Sequence, residues 1–267
     1  MNKDTQLCIS VSENPGNKGA QIQAALYKRY SLNFDYKSFK VRSFDGVVPA
    51  MRTLGIRGCA VAQPFKFDAY RHVDEAHDEG TGVVNTIVQK ASGAFVGYNT
   101  DVFGARKAID ALQCDKSKSV VVFGAGATAR SVLAALKQLG FEKVVVCNRT
   151  QWKAQELGQD IVSIQETSEI EDVGMIINAT SRSMQGSFVD LENLVISLAA
   201  VGNRFGVMDV VVNPRCKGVE DACKTYNLPY ITGLEMSIWQ SLYQFELYTG
   251  TEYTEEDIEF VRTLELT

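Results

Sequence analysis

One stretch of the chain combines an apolar strand pattern, a glycine turn and a helix pattern, and it constrains the fold more than any other. Ser119–Phe123 is a β-branched apolar run, which is typical of a parallel strand covered on both faces. Gly124, Gly126 and Ala129 follow in the spacing G-x-G-x-x-A, and the helix pattern ends at Gly140. In that spacing the first residue makes a tight turn, the second lets a pyrophosphate approach the backbone, and the third lets the helix lie close to the strand. The stretch therefore predicts a dinucleotide-binding unit.

The residues after the next apolar run indicate which dinucleotide the unit favours. Lys143–Cys147 supplies a second strand, and Asn148, Arg149 and Thr150 follow it, with Lys153 one turn later. NAD sites usually carry Asp or Glu at this place to bind the ribose 2′-hydroxyl. Two cations and a hydroxyl suit a 2′-phosphate instead, because a guanidinium matches phosphate with its fork of donors. The sequence predicts NADP as the cofactor; the alternative is that Arg149 and Lys153 are solvated charges on a surface loop.

Composition excludes several classes of protein. The chain has 267 residues, enough for two modest domains or one large one, and its net charge of −5 argues against general nucleic-acid binding. Its six cysteines are scattered without a C-x-x-C pair, as buried thiols in a reducing compartment are. The two histidines lack partners at zinc-ligand spacing, so no metal is expected. No apolar run reaches the ~20 residues of a membrane span and the first residues lack a signal peptide's apolar core, so we expect a cytoplasmic protein.

The chain before the glycine turn alternates short strands and helices but has no second phosphate-binding turn, so we expect an α/β substrate half. Its predicted strands are Leu7–Val11, Phe34–Val41, Ile56–Val61 and Val83–Val88. Its predicted helices are Gly19–Tyr30, one capped by Asp45 that ends near Gly55, one opened by Pro64 that ends near Asp74, and Asp101–Leu112, which bridges to the cofactor half.

After Arg149 the alternation continues, as a doubly wound parallel sheet requires. The predicted strands are Met175–Asn178, Val207–Val212 and Tyr230–Thr232. The predicted helices are Gln151–Gly158, Leu191–Ala199, Gly233–Tyr248 and Glu255–Leu264.

Several segments also occur in a distinctive order: Ala60–Lys66, Val83–Thr86, Gly97–Asp101, Gly124–Ala129, Asn148–Thr150, Ile177–Thr180, and Gly233–Met236 with Gln240. Together they span nearly the whole chain, and in this order they resemble the shikimate dehydrogenases. The resemblance implies an α/β fold with an N-terminal substrate domain (1–102), an NADP-binding Rossmann domain (103–237) and C-terminal helices (238–267) that return to the first domain. It also implies the reversible reduction of 3-dehydroshikimate to shikimate, or of a related ring keto-carboxylate to its alcohol.

The resemblance implies a catalytic pair, Lys66 and Asp101, and two residues that bind substrate hydroxyls, Asn85 and Gln240. The residue types suit the chemistry, because oxidation of an alcohol releases a proton that an ammonium beside a carboxylate can take up or return. Taken without the resemblance, the four residues would be surface charges, a turn residue and a solvated helix position. The implied cofactor-binding residues are Gly124, Ala125, Gly126, Ala127, Thr128, Ala129, Asn148, Arg149, Thr150, Lys153, Thr180, Gly233 and Met236.

The chain departs from the family where the substrate is recognised. In place of a Ser-x-Ser-Pro segment, whose hydroxyls hold the substrate carboxylate, it has residues 16–19, Gly-Asn-Lys-Gly. We expect Lys18 to bind the carboxylate of an anionic substrate, or else to cap its loop and point to solvent. Two polar residues before the catalytic lysine are replaced by Ala60 and Ala62, and a later tyrosine is replaced by Val212.

The sequence thus predicts an NADP-dependent dehydrogenase, similar to shikimate dehydrogenase, that acts on shikimate or a related polyhydroxylated ring carboxylate. The altered recognition residues leave open that shikimate itself is turned over slowly. The alternative is a non-catalytic NADPH-binding sensor on the same fold, against which the retention of Lys66 and Asp101 argues. The expected partner is a small hydroxy carboxylate, with no nucleic acid and no membrane, and the expected state is a monomer or homodimer.

Overall fold

The computed structural model describes residues 2–150, 152, 155–157, 160–162, 167, 170–181, 189–212 and 215–266. The chain divides into two compact units, Met1–Phe103 with Ile238–Thr267, and Gly104–Ser237. The first unit therefore contains both ends of the chain, and the second is one continuous stretch. Among the described residues, none of the helices has the length and apolar composition that crossing a membrane requires.

The first unit is built on a mixed sheet. In chain order its elements are β1 (Gln6–Ser12), α1 (Lys18–Arg29), β2 (Phe34–Lys40), α2 (Val47–Leu54), β3 (Gly58–Val61), α3 (Lys66–His72), β4 (Glu75–His77), β5 (Thr86–Gln89), β6 (Phe95–Tyr98) and the start of α4 (Thr100–Ala111). The strands lie in the order β2-β1-β3-β5-β6-β4, with β5 antiparallel to both of its neighbours and the other pairs parallel. The carboxyl ends of β1, β3 and β6 and the amino end of β5 therefore lie on the same edge of the sheet.

The second unit is built on a parallel sheet. Its elements are β7 (Ser119–Phe123), α5 (Ala127–Leu139), β8 (Val144–Cys147), β9 (Asp160–Val162), β10 (Val173–Asn178), α6 (Val189–Ala200), β11 (Gly206–Asp209), α7 (Lys217–Thr225), β12 (Tyr230–Thr232) and the start of α8 (Gly233–Thr249), and α9 (Glu255–Arg262) follows in the first unit. The strand order β12-β11-β10-β7-β8-β9 is that of the doubly wound dinucleotide fold, so the predicted fold class is confirmed. The order reverses between β7 and β10, which is where ligands bind in such sheets.

Each unit has its own core. Helix α2 packs its apolar face on the first sheet, around Ile9, Met51 and Ile87, and α1 buries Ile22 and Leu26. In the second unit β10 is buried at every position, and Val121 and Ile176 lie in a core closed by α6 and α7. Valine-rich and isoleucine-rich strands without polar alternation are expected where helices cover both faces of a parallel sheet.

Several predicted elements differ from the structure. The third helix covers only Lys66–His72, and the chain after it forms β4 instead of continuing the helix to Asp74. The second helix has Gly46 and not Asp45 as its N-cap, and the Asp45 carboxylate accepts a hydrogen bond from Ser43 Oγ at 2.8 Å. The strand predicted from Val83 begins at Thr86, and the strand predicted to reach Val212 ends at Asp209.

Four elements were missing from the prediction. Strands β4, β6 and β9 have only three or four residues, too few to establish an alternating pattern. Helix α7 carries Gly218 in its first turn, which lowers its helix propensity. A Cβ there would meet the Glu192 carboxylate, which ends a flexible side chain and can move aside. Half of the residues of the helix predicted over Gln151–Gly158 lie outside the described residues.

Candidate functional site

Three loops of the first unit meet at one edge of its sheet because backbone hydrogen bonds tie them together. The Val61 N–H donates to the Asn85 carbonyl at 2.7 Å, and the Asn85 N–H donates to the Tyr98 carbonyl at 3.0 Å. The Val84 N–H donates to the carbonyl of Lys66 at 3.1 Å. The end of β3, the start of β5 and the end of β6 are thereby held in fixed register. The polar side chains of these three segments therefore have fixed positions relative to one another.

Lys66 and Asp101 form a close ion pair at this edge. Lys66 is the first residue of α3, Asp101 lies in the first turn of α4, and Lys66 Nζ donates to Asp101 Oδ2 at 2.5 Å. The two side chains are only 12% and 8% exposed. An ion pair withdrawn from water interacts more strongly than one on the surface, and a carboxylate is favoured in the first turn of a helix. The pair has the composition and proximity needed to exchange a proton with a bound substrate.

Asn85 and Gln240 lie in a polar network next to this pair. Asn85 Nδ2 donates to Gln240 Oε1 at 3.1 Å, and Asn85 Oδ1 accepts from the Thr100 N–H at 2.8 Å. Thr100 immediately precedes Asp101 in the chain, so the network and the ion pair share the start of α4. The structure thus brings together four of the five side chains that the sequence assigned to catalysis and substrate binding.

Lys18, the fifth, is not part of this group. It is the partly exposed first residue of α1, and it forms no ion pair with any residue that the structure describes. The first turn of α1 has no acidic residue, and Asn17 provides no side-chain cap. Its ammonium therefore lies at a helix N-terminus, where the helix dipole adds to its positive charge.

The glycine turn after β7 has the geometry that its spacing predicts. Gly124 adopts a φ of +114°, and a Cβ at this position would lie 2.8 Å from the Ala179 carbonyl oxygen after β10. Gly126 is the N-cap of α5, and no heavy atom lies within 4 Å of where its Cβ would be. Ala129 is fully buried, so that α5 lies close to the sheet. The turn therefore leaves room beside uncapped backbone N–H groups at a helix N-terminus, as anion binding requires.

The remaining residues of the turn follow this geometry. Ala125 and Thr128 are partly exposed, while Ala127 is buried as the first residue of α5. Anion-facing positions are thus formed mainly by the backbone, and the two alanines and Gly126 keep side chains out of the way.

The loop after β8 carries the predicted phosphate-binding residues. Asn148 Nδ2 donates to the Thr150 carbonyl at 2.8 Å, which closes a tight loop. Arg149 between them is exposed, and it makes no ion pair within the described part of the chain. Lys153, also assigned to the cofactor, lies outside the described residues.

Two buried polar residues that sequence reasoning missed hold the loop after β10. Asn178 Oδ1 accepts hydrogen bonds from the Thr180 N–H at 3.0 Å and from the Thr180 hydroxyl at 2.7 Å. Asn178 Nδ2 donates to Asp209 Oδ1 at 2.9 Å, and that oxygen also accepts from the Val211 N–H at 3.1 Å. The pair fixes the loop after β10, at the switch point of the sheet, and the loop after the neighbouring strand β11. Polar residues that end adjacent parallel strands are the signal that would have found them.

The last two assigned cofactor residues lie at the start of α8. Gly233 leaves no space for a side chain, because a Cβ there would collide with the Val210 carbonyl. Met236 is buried one turn later. Gly233 is thus required by the close approach of two backbone segments after β11 and β12.

Comparison with known proteins gives one family. A model of the shikimate dehydrogenase substrate binding domain matches residues 17–87, and a model named shikimate / quinate 5-dehydrogenase matches residues 106–188. A shikimate dehydrogenase-like protein of Haemophilus influenzae is 34% identical over 262 residues, which cover 96% of this chain and 95% of that protein. The shikimate dehydrogenase (NADP(+)) of Methanocaldococcus jannaschii is 31% identical over 85% of each chain.

Solved structures agree with the sequence relatives. The structure of a shikimate 5-dehydrogenase-like protein has a TM-score of 0.82 at 32% identity and covers 98% of this chain and 100% of its own. A crystal structure of shikimate dehydrogenase in complex with NADP+ has a TM-score of 0.82 at 27% identity and covers 100% of this chain and 98% of its own. Because the two domain models match residues 17–87 and 106–188 and the Haemophilus influenzae relative covers 96% of this chain, the chain belongs to the shikimate dehydrogenase family.

Proposed function

We propose that this protein catalyses the reversible NADP-dependent oxidation of a ring alcohol that carries a carboxylate, shikimate or a close relative of it. The observation that carries the proposal is the Lys66–Asp101 pair, 2.5 Å apart and largely withdrawn from water. Relatives named shikimate dehydrogenase (NADP(+)) support the choice of reaction and cofactor.

Lys66 and Asp101 handle the proton of the reaction. In the direction of carbonyl reduction, the ammonium of Lys66 donates a proton to the oxygen that becomes the alcohol, while the Asp101 carboxylate holds that ammonium in place. In the direction of oxidation, the amine accepts the hydroxyl proton and is recharged as an ammonium against the same carboxylate. NADP, when bound, accepts or supplies the hydride.

The cofactor fits the residues of the second unit. The N–H groups at the start of α5 face the open space beside Gly126 and would hold the pyrophosphate. Arg149 and Thr150 would hold the 2′-phosphate, with Lys153 as a third contact. Thr180, on the loop after β10, and Gly233 and Met236, at the start of α8, would line the remainder of the site. The exposed guanidinium at this place, without a carboxylate for the ribose, favours NADP over NAD.

The substrate is proposed to bind to the first unit through Asn85, Gln240 and Lys18. The amides contact ring oxygens beside the catalytic pair, and Lys18 attracts the carboxylate. Where the family has two serine hydroxyls that hold the carboxylate, this chain has the ammonium of Lys18, so fixed hydrogen bonds are replaced by a mobile charge. Preference among ring carboxylates is therefore expected to differ from that of a shikimate dehydrogenase with the serine pair.

A substrate screen tests the proposal. Shikimate, quinate, aminoshikimate and smaller hydroxy acids are each assayed with NADP+ and NAD+, and reduced nicotinamide is followed at its absorbance band. Turnover of at least one ring carboxylate with NADP+, lost in a Lys66→Met variant, is the expected result. NADPH binding without turnover of any compound would contradict it and favour the sensor.

A further inference from the structure

We propose that the wall of the substrate site formed by Asn85 and Gln240 presents only hydrogen-bond donors, and that it therefore selects a substrate group that accepts hydrogen bonds. The inference rests on the proposed function, because it describes the substrate class of the same site. The supporting observation is the buried hydrogen-bond network around Asn85, which fixes the orientation of each amide in turn.

The orientation of the Asn85 amide is fixed by a group that can only donate. The backbone N–H of Thr100 lies 2.8 Å from one terminal atom of Asn85, so that atom is the carbonyl oxygen Oδ1. The hydroxyls of Thr86 and Thr100 lie 2.9 and 3.0 Å from the same oxygen. All three residues are at most 2% exposed, so water does not compete for these contacts. Asn85 Oδ1 is therefore occupied on the protein side and unavailable to a substrate.

The orientation of Gln240 follows from that of Asn85. With Oδ1 turned towards Thr100, the other terminal atom of Asn85 is the donor Nδ2, and it lies 3.1 Å from Gln240. The atom of Gln240 that receives it must be Oε1, which also faces the Thr100 hydroxyl at 3.4 Å. The remaining terminal atom of Gln240 is Nε2, a donor, and the Gln240 side chain is partly exposed. Both carbonyl oxygens of the wall thus face the protein.

A second glutamine supports this arrangement from one turn along α8. Gln244 Nε2 donates to Thr86 Oγ1 at 2.8 Å, so the Thr86 hydroxyl accepts there and directs its own proton to Asn85. Gln244 is 4% exposed and lies four residues after Gln240, on the same face of the helix. Thr86 and Gln244 are positioning residues: they hold the donors of the wall without touching the substrate.

The neighbouring ion pair places a further donor, Lys66, beside this wall. The Asp101 oxygen nearest the pair accepts from Lys66, while Lys66 carries the proton that is given to the substrate. A ketone, a carboxylate or a hydroxyl can accept hydrogen bonds from this surface, whereas an ammonium group, which only donates, cannot. If a substrate ammonium lies against the amide N–H groups of the wall, those N–H groups remain without an acceptor in the complex. The loss is expected to lower kcat/KM by roughly 5- to 150-fold.

The test uses shikimate and analogues in which each ring hydroxyl other than the one that is oxidised is replaced in turn by an amino group. In the wild type, one of these positions is expected to lose kcat/KM by roughly 5- to 150-fold relative to shikimate. Gln240→Glu, which replaces the donor by an acceptor, is expected to reverse the preference at that position. Gln240→Met removes both polarities, and it is expected to weaken the preference without reversing it. Gln6→Glu adds the same charge at the exposed start of β1 and should leave the preference as it is.

Two uncharged substitutions of Thr86 test whether its hydroxyl positions the Asn85 amide. Thr86→Val keeps the shape of the side chain and removes its hydroxyl, so KM for shikimate is expected to rise several-fold at nearly constant kcat. Thr86→Ser restores the hydroxyl and is expected to return KM towards the wild-type value. A loss in both variants alike, or in kcat alone, would overturn the role given to this hydroxyl.

Neutron diffraction from deuterium-exchanged crystals locates the donors without any substrate. Deuterons on the atom of Asn85 that faces Gln240, and on the outward atom of Gln240, are expected. Deuterons on the Asn85 atom that faces Thr100, or equal kcat/KM for all the amino analogues, would overturn the inference. If no ring carboxylate binds or turns over, the proposed function fails, while the neutron map still decides the polarity of the wall.

Discussion

Lys66 is almost enclosed by protein, and its ammonium is held by the Asp101 carboxylate. Replacement by methionine keeps the length of the side chain and removes its proton. We expect Lys66→Met to lower kcat by roughly 10²- to 10⁴-fold, the range for loss of a general acid–base group. The affinity for NADPH, measured by fluorescence titration, should stay near that of the wild type.

Lys37→Met, at an exposed position of β2, is the matched control for that variant and should keep full turnover. A Lys66→Met protein that retains most of its turnover on the best substrate would remove Lys66 from the proton transfer.

Arg149 lies exposed after β8, where the 2′-phosphate of NADP is proposed to bind. Arg149→Ala should weaken NADPH binding by ~1–3 kcal/mol, because a charge-assisted contact is lost, and should leave NADH binding nearly unchanged. Calorimetric titration of both cofactors measures the difference. Lys143→Ala is the control, since Lys143 is an exposed cation at the opposite end of the same strand. Equal losses for NADPH and NADH would contradict the phosphate assignment.

The turn between β7 and α5 contains two glycines with different requirements. Gly124→Ala places a Cβ at a positive φ and 2.8 Å from a carbonyl oxygen, so we expect it to lower stability by ~1–3 kcal/mol. Gly126→Ala meets no protein atom within 4 Å and should leave the melting temperature unchanged. Its methyl group would occupy the space proposed for the pyrophosphate and weaken NADPH binding by ~1–3 kcal/mol. Thermal unfolding and NADPH titration of both variants separate the two effects; unaltered NADPH binding by Gly126→Ala would count against the proposed location.

Helices α1 and α9 are joined by one buried carboxylate. Asp257 accepts from Tyr30 Oη at 2.5 Å, from Arg29 Nε at 2.7 Å and from the Thr254 N–H at 2.8 Å. Burial alone would raise the pKa of Asp257, but these hydrogen bonds outweigh it, and its pKa lies below the ordinary value of 3.8. A lowered pKa in the folded state stabilises the fold at pH values above 3.8, and that contribution is lost as the pH falls through the folded pKa.

Asp257→Asn should therefore be less stable than the wild type at neutral pH, and the difference in unfolding free energy should shrink as the pH falls below about 4. Urea unfolding across this pH range measures it. Glu256→Gln is the control, because Glu256 is 87% exposed and its pairing with Arg29 is expected to contribute little. A difference that stays constant with pH would show that the charge of Asp257 is not what stabilises the contact.

Elements with a strong local pattern were predictable from the sequence, and those defined by tertiary pairing were not. The bounds of β7 and β12 coincide with the prediction, because each is an apolar or β-branched run next to a glycine or loop. The hairpin partner β6 was missed because its four residues gain their strand conformation from pairing with β5. The α/β class followed from the alternation and the glycine turn, whereas the return of the C-terminal helices to the first domain came from the resemblance to a family.

The candidate site divides in the same way. Lys66, Asp101, Asn85 and Gln240 were found by resemblance to a family, and nothing in their local sequence distinguishes them from surface residues. Thr86, Thr100 and Gln244 were missed, since a buried hydroxyl or amide looks like a solvated one until its partners are known. The one local signal was the spacing of Gln240 and Gln244 by one helical turn on a helix that is otherwise mostly apolar.

At the scale of the whole molecule, the first unit is completed only by the end of the chain. Burial of Leu242, Phe245, Ile258 and Val261 contributes ~1.5–3 kcal/mol each, a total comparable with the net stability of a typical domain. Deletion of residues 238–267 should therefore unfold residues 1–103, while residues 104–237 keep their own core. Hydrogen exchange followed by mass spectrometry measures protection in each unit. Deletion of 263–267 alone, beyond the end of α9, is the control, and persistent protection of residues 1–103 in the longer deletion would contradict the expectation.

Hydrogen-bond partners in the first unit lie far apart in the sequence, and this separation determines the order in which the two units can fold during synthesis. Asn85 and Gln240 are 155 residues apart, and Gln23 donates to a backbone carbonyl 218 residues later, that of Ser241. At ~5–20 residues per second, a ribosome that has added Asn85 needs roughly 8–30 s more to reach Gln240. Every strand of the second unit's sheet is made before Gln240 is reached, because its last strand, β12, ends at Thr232. The nascent chain is thus expected to complete the second unit first. At that stage Asn85 and Gln23 of the first unit still lack their partners Gln240 and Ser241.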